Sequence, residues 1–465
     1  MSSSVAKYYI AVDLGNESGC VVLGTLRDGV METETLHSFP TPSVNMAGKS
    51  YWNIYSIYDE VIAGLAKAGA RKLRIESVAV DSWSSDFVCA AKDGSFIGLP
   101  RADGESYARA ARVKFLKKMS PREYYDASGI HILTGSTAFQ LFAQRKEKGV
   151  PLDNARSILF ISDAVAYMLT GKKACDITQL SAAGLLNSAR KKPLKAVMNV
   201  CGVKPKRFAS VTAVGAKIGN LSDAAASATG LGKVSVVAAA GSRKAAAVAA
   251  LPVSDSPSAF LVMGRDGFMG IESPEPAIND RTFELNLSNE RTASGKVMIY
   301  KASVGMEILD LCIAAWKAQG KVYDAEAVRT AVTGLPASTA LLDFDDPLLA
   351  PQPDMPAAIM RFCEQKGMAV PSGDAAVMRL IYDSLAENYG NIFRMLQGIS
   401  VEKLRNIVMA GPCASDSVLC SLIADECSVP VLAGPVDAPA LGNLMIQAGI
   451  GQSKPSGMQE YKPAV

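Results

Sequence analysis

The chain has 465 residues, 49% of them apolar and 20% charged, and its formal net charge is +3 at pH 7. That composition excludes a disordered or fibrous chain, and the length predicts about two to three domains. So small a positive surplus argues against a dedicated nucleic-acid or membrane-surface binder. A total of two histidines also excludes a His-rich metal site.

The nine cysteines are odd in number and none has CxxC spacing, a pattern that predicts free thiols in a reducing compartment. The N-terminus lacks the apolar region of a signal peptide. The longest apolar stretch, near residues 234–253, is interrupted by Arg243 and Lys244, so no membrane-spanning segment is predicted. We therefore expect a cytoplasmic protein.

The N-terminal part of the chain alternates buried strands with a helix. Apolar runs predict strands at residues 8–12, 20–26 and 30–39, the last two joined by a hairpin at Asp28 and Gly29. Helical spacing follows over residues 51–70, and a buried strand over residues 77–80 ends before Asp81. This order of elements predicts a layered α/β domain.

A similar order recurs later in the chain. Strands are predicted at residues 234–240, 259–263, 268–272 and 406–410, with a glycine turn from Gly264 to Gly267. A strand, a glycine turn and a returning strand therefore occur both after Asp13 and at Gly264. This repetition predicts an internal duplication into two domains that face each other across a cleft. The Gly-rich stretch at residues 230–233 divides them into residues 1–232 and 233–465.

Glycine turns between strands have a chemical interpretation. Such a turn is expected to leave backbone N–H groups unpaired and pointing the same way, an arrangement that binds phosphate. An Asp that closes the preceding strand, such as Asp13, can hold Mg²⁺ through water. The alternative is an ordinary hairpin in which Asp13 caps the turn, and both interpretations stay open.

Several motifs give the sequence a resemblance to the FGGY family of carbohydrate kinases over nearly its whole length. They are AVDLGNESG from residue 11, VAVDSWSSDF from residue 78, GIHILTGSTAFQL from residue 129, SNE from residue 288 and AGPVDAPALGN from residue 433. Within the family, the chain is similar to the rhamnulokinase branch. The resemblance implies an α/β fold of two ribonuclease-H-like domains of the actin/hexokinase type, the N-terminal one on the sugar side and the C-terminal one on the nucleotide side.

The resemblance also implies an activity and site residues. The activity is transfer of the ATP γ-phosphate to a sugar hydroxyl, on L-rhamnulose in that branch, with a Mg²⁺ ion that Asp13 would ligate. The implied substrate contacts are Trp83, Asp86 and Gln140. The implied cofactor contacts are Asp13, Gly15, Asn16, Ser18, Gly264, Arg265, Gly411 and Asp416.

The chain departs from the family pattern at the catalytic position. The family has an Asp at the start of the second domain that takes the hydroxyl proton, and the matching position is Arg243. Arg stays protonated and has no acceptor lone pair, so it cannot be a general base. No Asp or Glu occurs from residue 224 to residue 254, so a shifted alignment does not restore the base.

The phosphate turns and the adenine side are also altered. The second turn is MGRD from residue 263 instead of the family's Ser-Gly-Thr-Trp, and Cys20 replaces the Arg that closes the first turn. On the adenine side, Pro412 and Cys413 follow Gly411 where the family has three glycines, which removes a backbone N–H and adds a side chain. These departures argue against a working Mg-ATP site.

Two side chains keep alternative interpretations, and two others have a single one. Arg243 either forms an ion pair with Asp13 or Asp266, or captures an anion such as a phosphate group, or points into solvent. Trp83 either stacks on a sugar or packs in the core. Trp52 is expected in the core, and Lys244 is expected to be solvated.

Two functions follow, one of them not enzymatic. The first is a pseudokinase that binds a sugar or a nucleotide and is impaired in ATP-dependent phosphorylation. The alternative is an active ATP-dependent kinase that phosphorylates a ketose such as L-rhamnulose. Either way the partners are small molecules rather than nucleic acid or membrane, and the choice between a homo-oligomer and a partner subunit stays open.

Overall fold

The regular elements follow the alternation that the sequence predicts. A computed structural model describes residues 5–464 except residues 103, 190, 254–255 and 452–456. The strands are β1 (Lys7–Leu14), β2 (Ser18–Arg27), β3 (Val30–Pro40), β4 (Ser43–Met46), β5 (Lys49–Trp52), β6 (Ile75–Ser82), β7 (Phe87–Ala90), β8 (Ser157–Phe160), β9 (Cys175–Asp176), β10 (Leu186–Asn187), β11 (Lys192–Pro193), β12 (Val211–Thr212), β13 (Lys217–Asn220), β14 (Ser235–Val237), β15 (Ser258–Met263), β16 (Asp266–Ser273), β17 (Ser288–Arg291), β18 (Val297–Val304), β19 (Asn406–Ala410), β20 (Val431–Ala433) and β21 (Gln459–Tyr461).

The helices lie mostly between these strands. They are α1 (Ile54–Ala70), α2 (Gly104–Leu116), α3 (Pro121–Ser128), α4 (Thr137–Lys146), α5 (Val150–Asn154), α6 (Ile161–Thr170), α7 (Ile177–Ala182), α8 (Lys195–Val200), α9 (Asp223–Thr229), α10 (Arg243–Ala249), α11 (Asp280–Glu284), α12 (Glu307–Ala318), α13 (Ala325–Thr333), α14 (Met355–Gln365), α15 (Asp374–Gln397), α16 (Ser417–Cys427) and α17 (Ala438–Ala448). Among the described residues, no helix has both the length and the apolar character needed to cross a membrane.

The chain divides into two compact units that are interleaved along the sequence. The first comprises Met1–Leu251, Glu272–Ile299 and Ala438–Pro455, and the second comprises Pro252–Ile271, Tyr300–Asp437 and Ser456–Val465. The single division at residue 232 that the sequence suggests stays a prediction.

The first unit is built on a six-stranded sheet with the order β13-β14-β6-β1-β2-β3. Successive residues of β1 point to opposite faces of the sheet. Ile10 and Val12 pack on one face in a cluster with α1 and α6, whereas Tyr9 and Ala11 pack on the other with α17. Because both faces are covered, β1 is apolar almost throughout, and Asp13 near its end is an exception to that pattern.

The second unit repeats the local topology of the first. Within its sheet, the consecutive neighbours are β18-β16-β15-β19-β20-β21. The hairpin of β15 and β16 is antiparallel and β15 pairs in parallel with β19, just as β1 pairs with β2 and with β6. The predicted repetition of strand, glycine turn and strand is therefore confirmed.

Two local predictions have opposite outcomes. The hairpin between β2 and β3 is confirmed, because Asp28 and Gly29 have φ values of 51° and 83°, the left-handed values that a tight hairpin turn needs. The helix predicted from residue 51 is wrong at its start, since residues 49–52 form β5. The helix begins only after Asn53, whose side chain accepts the Ser56 amide at 3.2 Å and caps α1.

All nine cysteines are free thiols, as predicted. Seven of them are buried, and only Cys20 and Cys427 are half-buried. Burial raises the pKa of the Cys89 and Cys413 thiols to about 12, so these groups remain in the unreactive thiol form at neutral pH.

Candidate functional site

Arg243 lies beside the Asp that ends the first strand. Its Nε donates to Oδ1 of Asp13 at 2.6 Å and its Nη2 donates to Oδ2 at 3.2 Å. Arg243 is the first residue of α10, and Asp13 is the penultimate residue of β1. The predicted ion pair between Arg243 and Asp13 is therefore confirmed, and it uses both carboxylate oxygens in a two-pronged contact.

A second carboxyl lies next to Asp13. Asp81 is in register with Asp13 across the parallel pairing of β1 and β6, and it is fully buried. Burial first, and then the neighbouring Asp13 charge, raise the pKa of Asp81 well above the usual value. Asn443 in α17 donates to its Oδ1 at 2.6 Å. Asp81, Asp13 and the Arg243 guanidinium therefore interact electrostatically in one cluster.

Asp81 is a residue that sequence reasoning did not assign to the site. The available signal was its position at the end of a buried strand, the same signal that singled out Asp13.

Burial disfavours the charged form of Arg243, but Asp13 outweighs that effect, so the pKa of Arg243 is raised. The guanidinium therefore stays charged and cannot accept a proton.

The residues around Asp13 do not fit a Mg²⁺ ion as they are arranged. Both oxygens of the carboxylate already accept from a guanidinium. In the described part of the chain, no group of three or more His, Cys, Asp or Glu side chains is placed to hold a metal. A fixed cation of the chain itself thus stands where the resemblance implies a metal.

The first glycine turn differs from the expectation at Gly15, whose amide is not left unpaired. The Gly15 amide donates to the Ser18 carbonyl at 2.9 Å, and the Gly15 carbonyl accepts from the Thr41 hydroxyl at 2.9 Å. Asn16 and Ser18 are exposed on the same turn. The Gly15 amide is therefore used inside the turn, and the phosphate role of Asn16 and Ser18 stays a prediction.

The second glycine turn is also tied into its own unit. The Gly264 amide donates to the Asp266 carbonyl at 2.9 Å, and the Gly264 carbonyl accepts the Met306 amide at 2.9 Å, just before α12. Arg265 forms an ion pair with Glu307 at 2.7 Å. The side chain that replaces the family's Thr is thereby directed to a partner in α12.

The residues predicted on the adenine side lie next to this turn. Gly411 has a φ of +89°, and an added Cβ would lie 2.6 Å from the Met263 carbonyl oxygen, so this position requires glycine. Asp416 caps α16 by accepting two backbone amides, and it accepts the Tyr382 hydroxyl at 2.6 Å. Gly264 and Gly411 are thus brought together in the second unit, whereas their contact with a nucleotide stays a prediction.

The predicted sugar residues form one hydrogen-bonded cluster in the first unit. Asp86 accepts at Oδ1 from the Gln140 amide at 2.8 Å and at Oδ2 from the Trp83 indole at 3.0 Å. Gln140 is 1% exposed and Asp86 is 8% exposed. Trp83, Asp86 and Gln140 are therefore in mutual contact, although 54 residues separate Asp86 from Gln140.

Trp52 belongs to this cluster as well. It is buried, as expected of a core residue, but its indole donates to Oδ2 of Asp86 at 2.7 Å. Its ring centroid lies 4.6 Å from that of Trp83. Nothing in the local spacing around Trp52 indicates a partner 34 residues away, so sequence reasoning assigned it to the core alone.

Lys244 is a further correction. Sequence reasoning expected it in solvent, but its Nζ lies 2.5 Å from Oε1 of Glu290, whose side chain is 2% exposed. A buried carboxylate requires a partner, and Glu290 belongs to the SNE motif. Both basic residues at the start of α10 are therefore paired with buried acids.

Comparisons with known proteins agree with these motifs. The chain is 33% identical over 440 residues to a rhamnulokinase of Bacteroides thetaiotaomicron, covering 95% of this chain and 90% of that protein. It is 29% identical to a rhamnulokinase of Pectobacterium carotovorum, covering 95% and 88% of the two chains.

Solved structures share the fold at lower identity. A xylulose kinase of Lactobacillus acidophilus has a TM-score of 0.79 at 14% identity, covering 98% of this chain and 94% of its own. A gluconate kinase of the same organism has a TM-score of 0.78 at 15% identity, with 99% and 94% covered. The fold is therefore of the ribonuclease-H-like, actin/hexokinase type that the resemblance implies. The N-terminal domain of the FGGY carbohydrate kinases matches residues 8–249 and the C-terminal domain matches residues 259–449, and the chain belongs to this family.

Proposed function

We propose that this rhamnulokinase-like FGGY protein binds a sugar or a nucleotide but is impaired in ATP-dependent phosphorylation. The observation that carries the proposal is the ion pair between Arg243 and Asp13, because the sequence resemblance matches Arg243 to the position of the family's base. A positioned general base contributes about 10²–10⁴-fold to a rate. A guanidinium at that position supplies no lone pair for the hydroxyl proton.

The nucleotide side supports the same proposal. Phosphoryl transfer depends on positioning and on charge stabilisation around the phosphates. The Gly15 and Gly264 amides donate within their own turns, and Arg265 is engaged by Glu307. Mg-ATP is the family's cofactor, and these contacts support a nucleotide side that is impaired for phosphoryl transfer.

The sugar side supports retained binding. Trp83, Asp86 and Gln140 are held in a hydrogen-bonded cluster with an aromatic surface, a combination suited to sugar hydroxyls and to one face of a sugar ring. A location in the reducing cytoplasm is part of this proposal and is supported by the nine free thiols.

The second candidate is an active kinase for a ketose such as L-rhamnulose. It is favoured by the 33% identity to a rhamnulokinase across 95% of the chain. It requires a base other than the residue at position 243. Burial raises the pKa of Asp81, but this carboxyl is fully buried and is held by Asn443.

The deciding experiment measures ADP release with Mg-ATP and a panel containing L-rhamnulose, L-ribulose and D-xylulose, with the Bacteroides relative as the positive control. We expect the rate of the wild type to be at least about 10²-fold below that of the control. Arg243→Asp restores the carboxylate, and Arg71→Asp, at an exposed position of α1's C-terminus, is the matched control. Melting temperatures establish that each variant is folded.

Turnover by the wild type at the rate of the positive control would refute impairment and establish the active kinase. Binding is measured separately, by thermal shift with each ketose and with Mg-ATP. A shift with neither class of ligand would refute the binding part of the proposal.

A further inference from the structure

The two units carry net charges of opposite sign. The first unit contains 36 Lys and Arg against 25 Asp and Glu, and the second contains 12 against 20. Their formal net charges are therefore +11 and −8, although the whole chain carries only +3. An uneven charge distribution of this size acts on association with other molecules rather than on the fold.

Part of the positive charge lies where three helices of the first unit end. The helices α2, α4 and α8 contribute to one hydrophobic core, and their C-terminal ends lie close together. The Nζ atoms of Lys118 and Lys146 lie 5.9 Å and 5.5 Å from the ring centroid of Phe142 in α4. An added Cβ at Gly202, just beyond α8, would lie 3.3 Å from the Arg145 side chain. The residues at and beyond the three helix ends therefore reach one surface.

Lysines dominate this surface, which we call the basic face. It consists of six exposed lysines at or just beyond the three helix ends: Lys117, Lys118, Lys146, Lys148, Lys204 and Lys206. Within the described residues, none of the six forms an ion pair with an acid. Glu147 is exposed on the same surface, and Asp153 is paired with Arg145. The basic face therefore keeps a surplus of positive charge.

The second unit has an exposed surface of the opposite sign. Residues 330–360 contain four Asp and no Lys or Arg. Three of the four are exposed: Asp343, Asp345 and Asp354. The fourth, Asp346, is paired with Lys366 at 2.8 Å. The short 3-10 turn at residues 347–349 packs on the helix α14, which brings these acids near one another, and we call residues 343–354 the acidic loop.

The basic face and the acidic loop complement each other in charge. Each also has an exposed apolar side chain beside it, since Val150 is 66% exposed and Leu341 is 38% exposed. Charged groups around apolar contacts are common at protein interfaces. We propose that the basic face of one copy binds the acidic loop of a second copy of this chain. Because unlike surfaces meet, the contact is heterologous.

A second copy fits the basic face better than a nucleic acid or an anionic membrane does. The net charge of the second unit repels a polyanion. The aromatic ring within the face, Phe142, is buried, so it offers no surface for the base stacking that single-stranded nucleic acids use. A second copy presents both signs of charge, and complementary charges steer its approach.

The test measures self-association of the full chain by sedimentation velocity over a range of concentrations. We expect the sedimentation coefficient to rise with concentration in about 20 mM NaCl. The association should weaken at least about 10-fold in about 500 mM NaCl, because salt screens exposed charges. No sugar or nucleotide is present, so the result does not depend on the proposed function.

Two charge-reversal variants test the two surfaces. The first combines Lys117→Glu, Lys118→Glu and Lys146→Glu. The second combines Asp343→Lys and Asp345→Lys. In low salt we expect each to associate at least about 10-fold more weakly than the wild type. An equimolar mixture of the two variants should associate again, because the unchanged basic face of the second meets the unchanged acidic loop of the first.

A matched control separates the basic face from the total charge. It combines Lys7→Glu, Lys72→Glu and Lys92→Glu, at exposed positions of the same unit, and it changes the net charge as much as the first variant does. We expect this control to associate as the wild type does. Melting curves establish that every variant is folded.

Several outcomes would overturn the proposal. A wild type that stays monomeric in low salt would do so, and its binding to poly(U) or to phosphatidylserine vesicles would then identify another class of anionic partner. Equal weakening in the lysine control, or a mixture of the two variants that stays monomeric, would also overturn it. If the first variant is unfolded, undiminished association in Asp343→Lys with Asp345→Lys would refute the role of the acidic loop.

Discussion

Arg243 and Asp13 contribute unequally to their ion pair, because the Arg243 side chain is only partly covered whereas the Asp13 side chain is buried. The Arg243 side chain is 46% exposed and the Asp13 side chain is 7% exposed. Without Asp13, the guanidinium can be solvated by water. Without Arg243, the Asp13 carboxylate remains buried beside Asp81, and a buried charge without a partner is strongly destabilising.

This asymmetry predicts that Arg243→Ala destabilises the protein more than Asp13→Asn does. We expect a loss of about 2 kcal/mol for Arg243→Ala, since the pair is partly exposed, and less than about 1 kcal/mol for Asp13→Asn. Urea denaturation measures both. The double variant should recover most of the loss, because the neutral Asn needs no cation. Equal losses in the two single variants would contradict this account.

At the scale of elements, the position of Arg243 depends on how α10 packs against α17. Both helices belong to the first unit, and α17 also contacts β1 and β6. An added Cβ at Gly442 would lie 1.9 Å from the backbone carbonyl oxygen of Ala246. Small residues on both helices allow this close approach. A backbone atom cannot move aside as a side chain can, so the contact fixes the distance between the helices.

Gly442→Ala is therefore expected to push the two helices apart and to lower the free energy of unfolding by about 1–3 kcal/mol, the usual cost of overpacking. Because α10 starts at Arg243, the contact between Arg243 and Asp13 should loosen as well. Gly451→Ala is the matched control, since nothing lies within 4 Å of an added Cβ there. An unchanged melting temperature in Gly442→Ala would contradict the packing argument.

Elements bounded by local signals were predicted well from the sequence. The strand β19 agrees with its prediction residue for residue, since a short apolar run ends at a glycine. Tyr51 was wrongly placed in a helix because its spacing suits α1, whereas its pairing with Val44 in β4 decides its conformation. Secondary structure that depends on a strand partner cannot be read from periodicity alone.

The same distinction holds for the site. Arg243 was predicted to pair with an acid because its position in a family motif indicated what lies nearby. The bonds from Trp52 to Asp86 and from Lys244 to Glu290 join residues that are distant in sequence. They depend on side-chain directions that the fold sets, and no local pattern encodes them.

At the scale of the whole molecule, buried acids in the first unit make stability depend on pH. Asp163 and Asp176 are both buried, and Asp163 accepts the Asp176 amide at 3.2 Å. Burial, followed by the charge of Asp176, raises the pKa of Asp163 well above 3.8. The folded state therefore binds this proton more tightly than the unfolded chain does. The resulting stabilisation is full below the ordinary pKa and is lost as the pH rises through the raised pKa.

We expect Asp163→Asn to flatten this dependence, because Asn accepts the same amide bond and carries no charge. As the pH rises above the ordinary pKa of an aspartate, the free energy of unfolding of the wild type should fall relative to that of the variant. The difference in slope is at most ~1.4 kcal/mol per pH unit for one proton. Asp93→Asn serves as the control, since hydrogen bonds from Ser95 lower the pKa of Asp93. If the free energy of unfolding changes with pH in the same way in the wild type and in Asp163→Asn, then Asp163 is not the source of the pH dependence.

The first unit takes its last helix from residues 438–448, near the far end of the chain. A ribosome releases β1 and β6 long before it makes α17, and it synthesises nearly all of the second unit in between. During that interval the face of the sheet that includes Tyr9 and Ala11 lacks its covering helix. An apolar surface of this kind is a binding site for chaperones and a risk for aggregation. Because of this order of synthesis, the first unit starts to fold first but cannot complete its fold before the rest of the protein has been made.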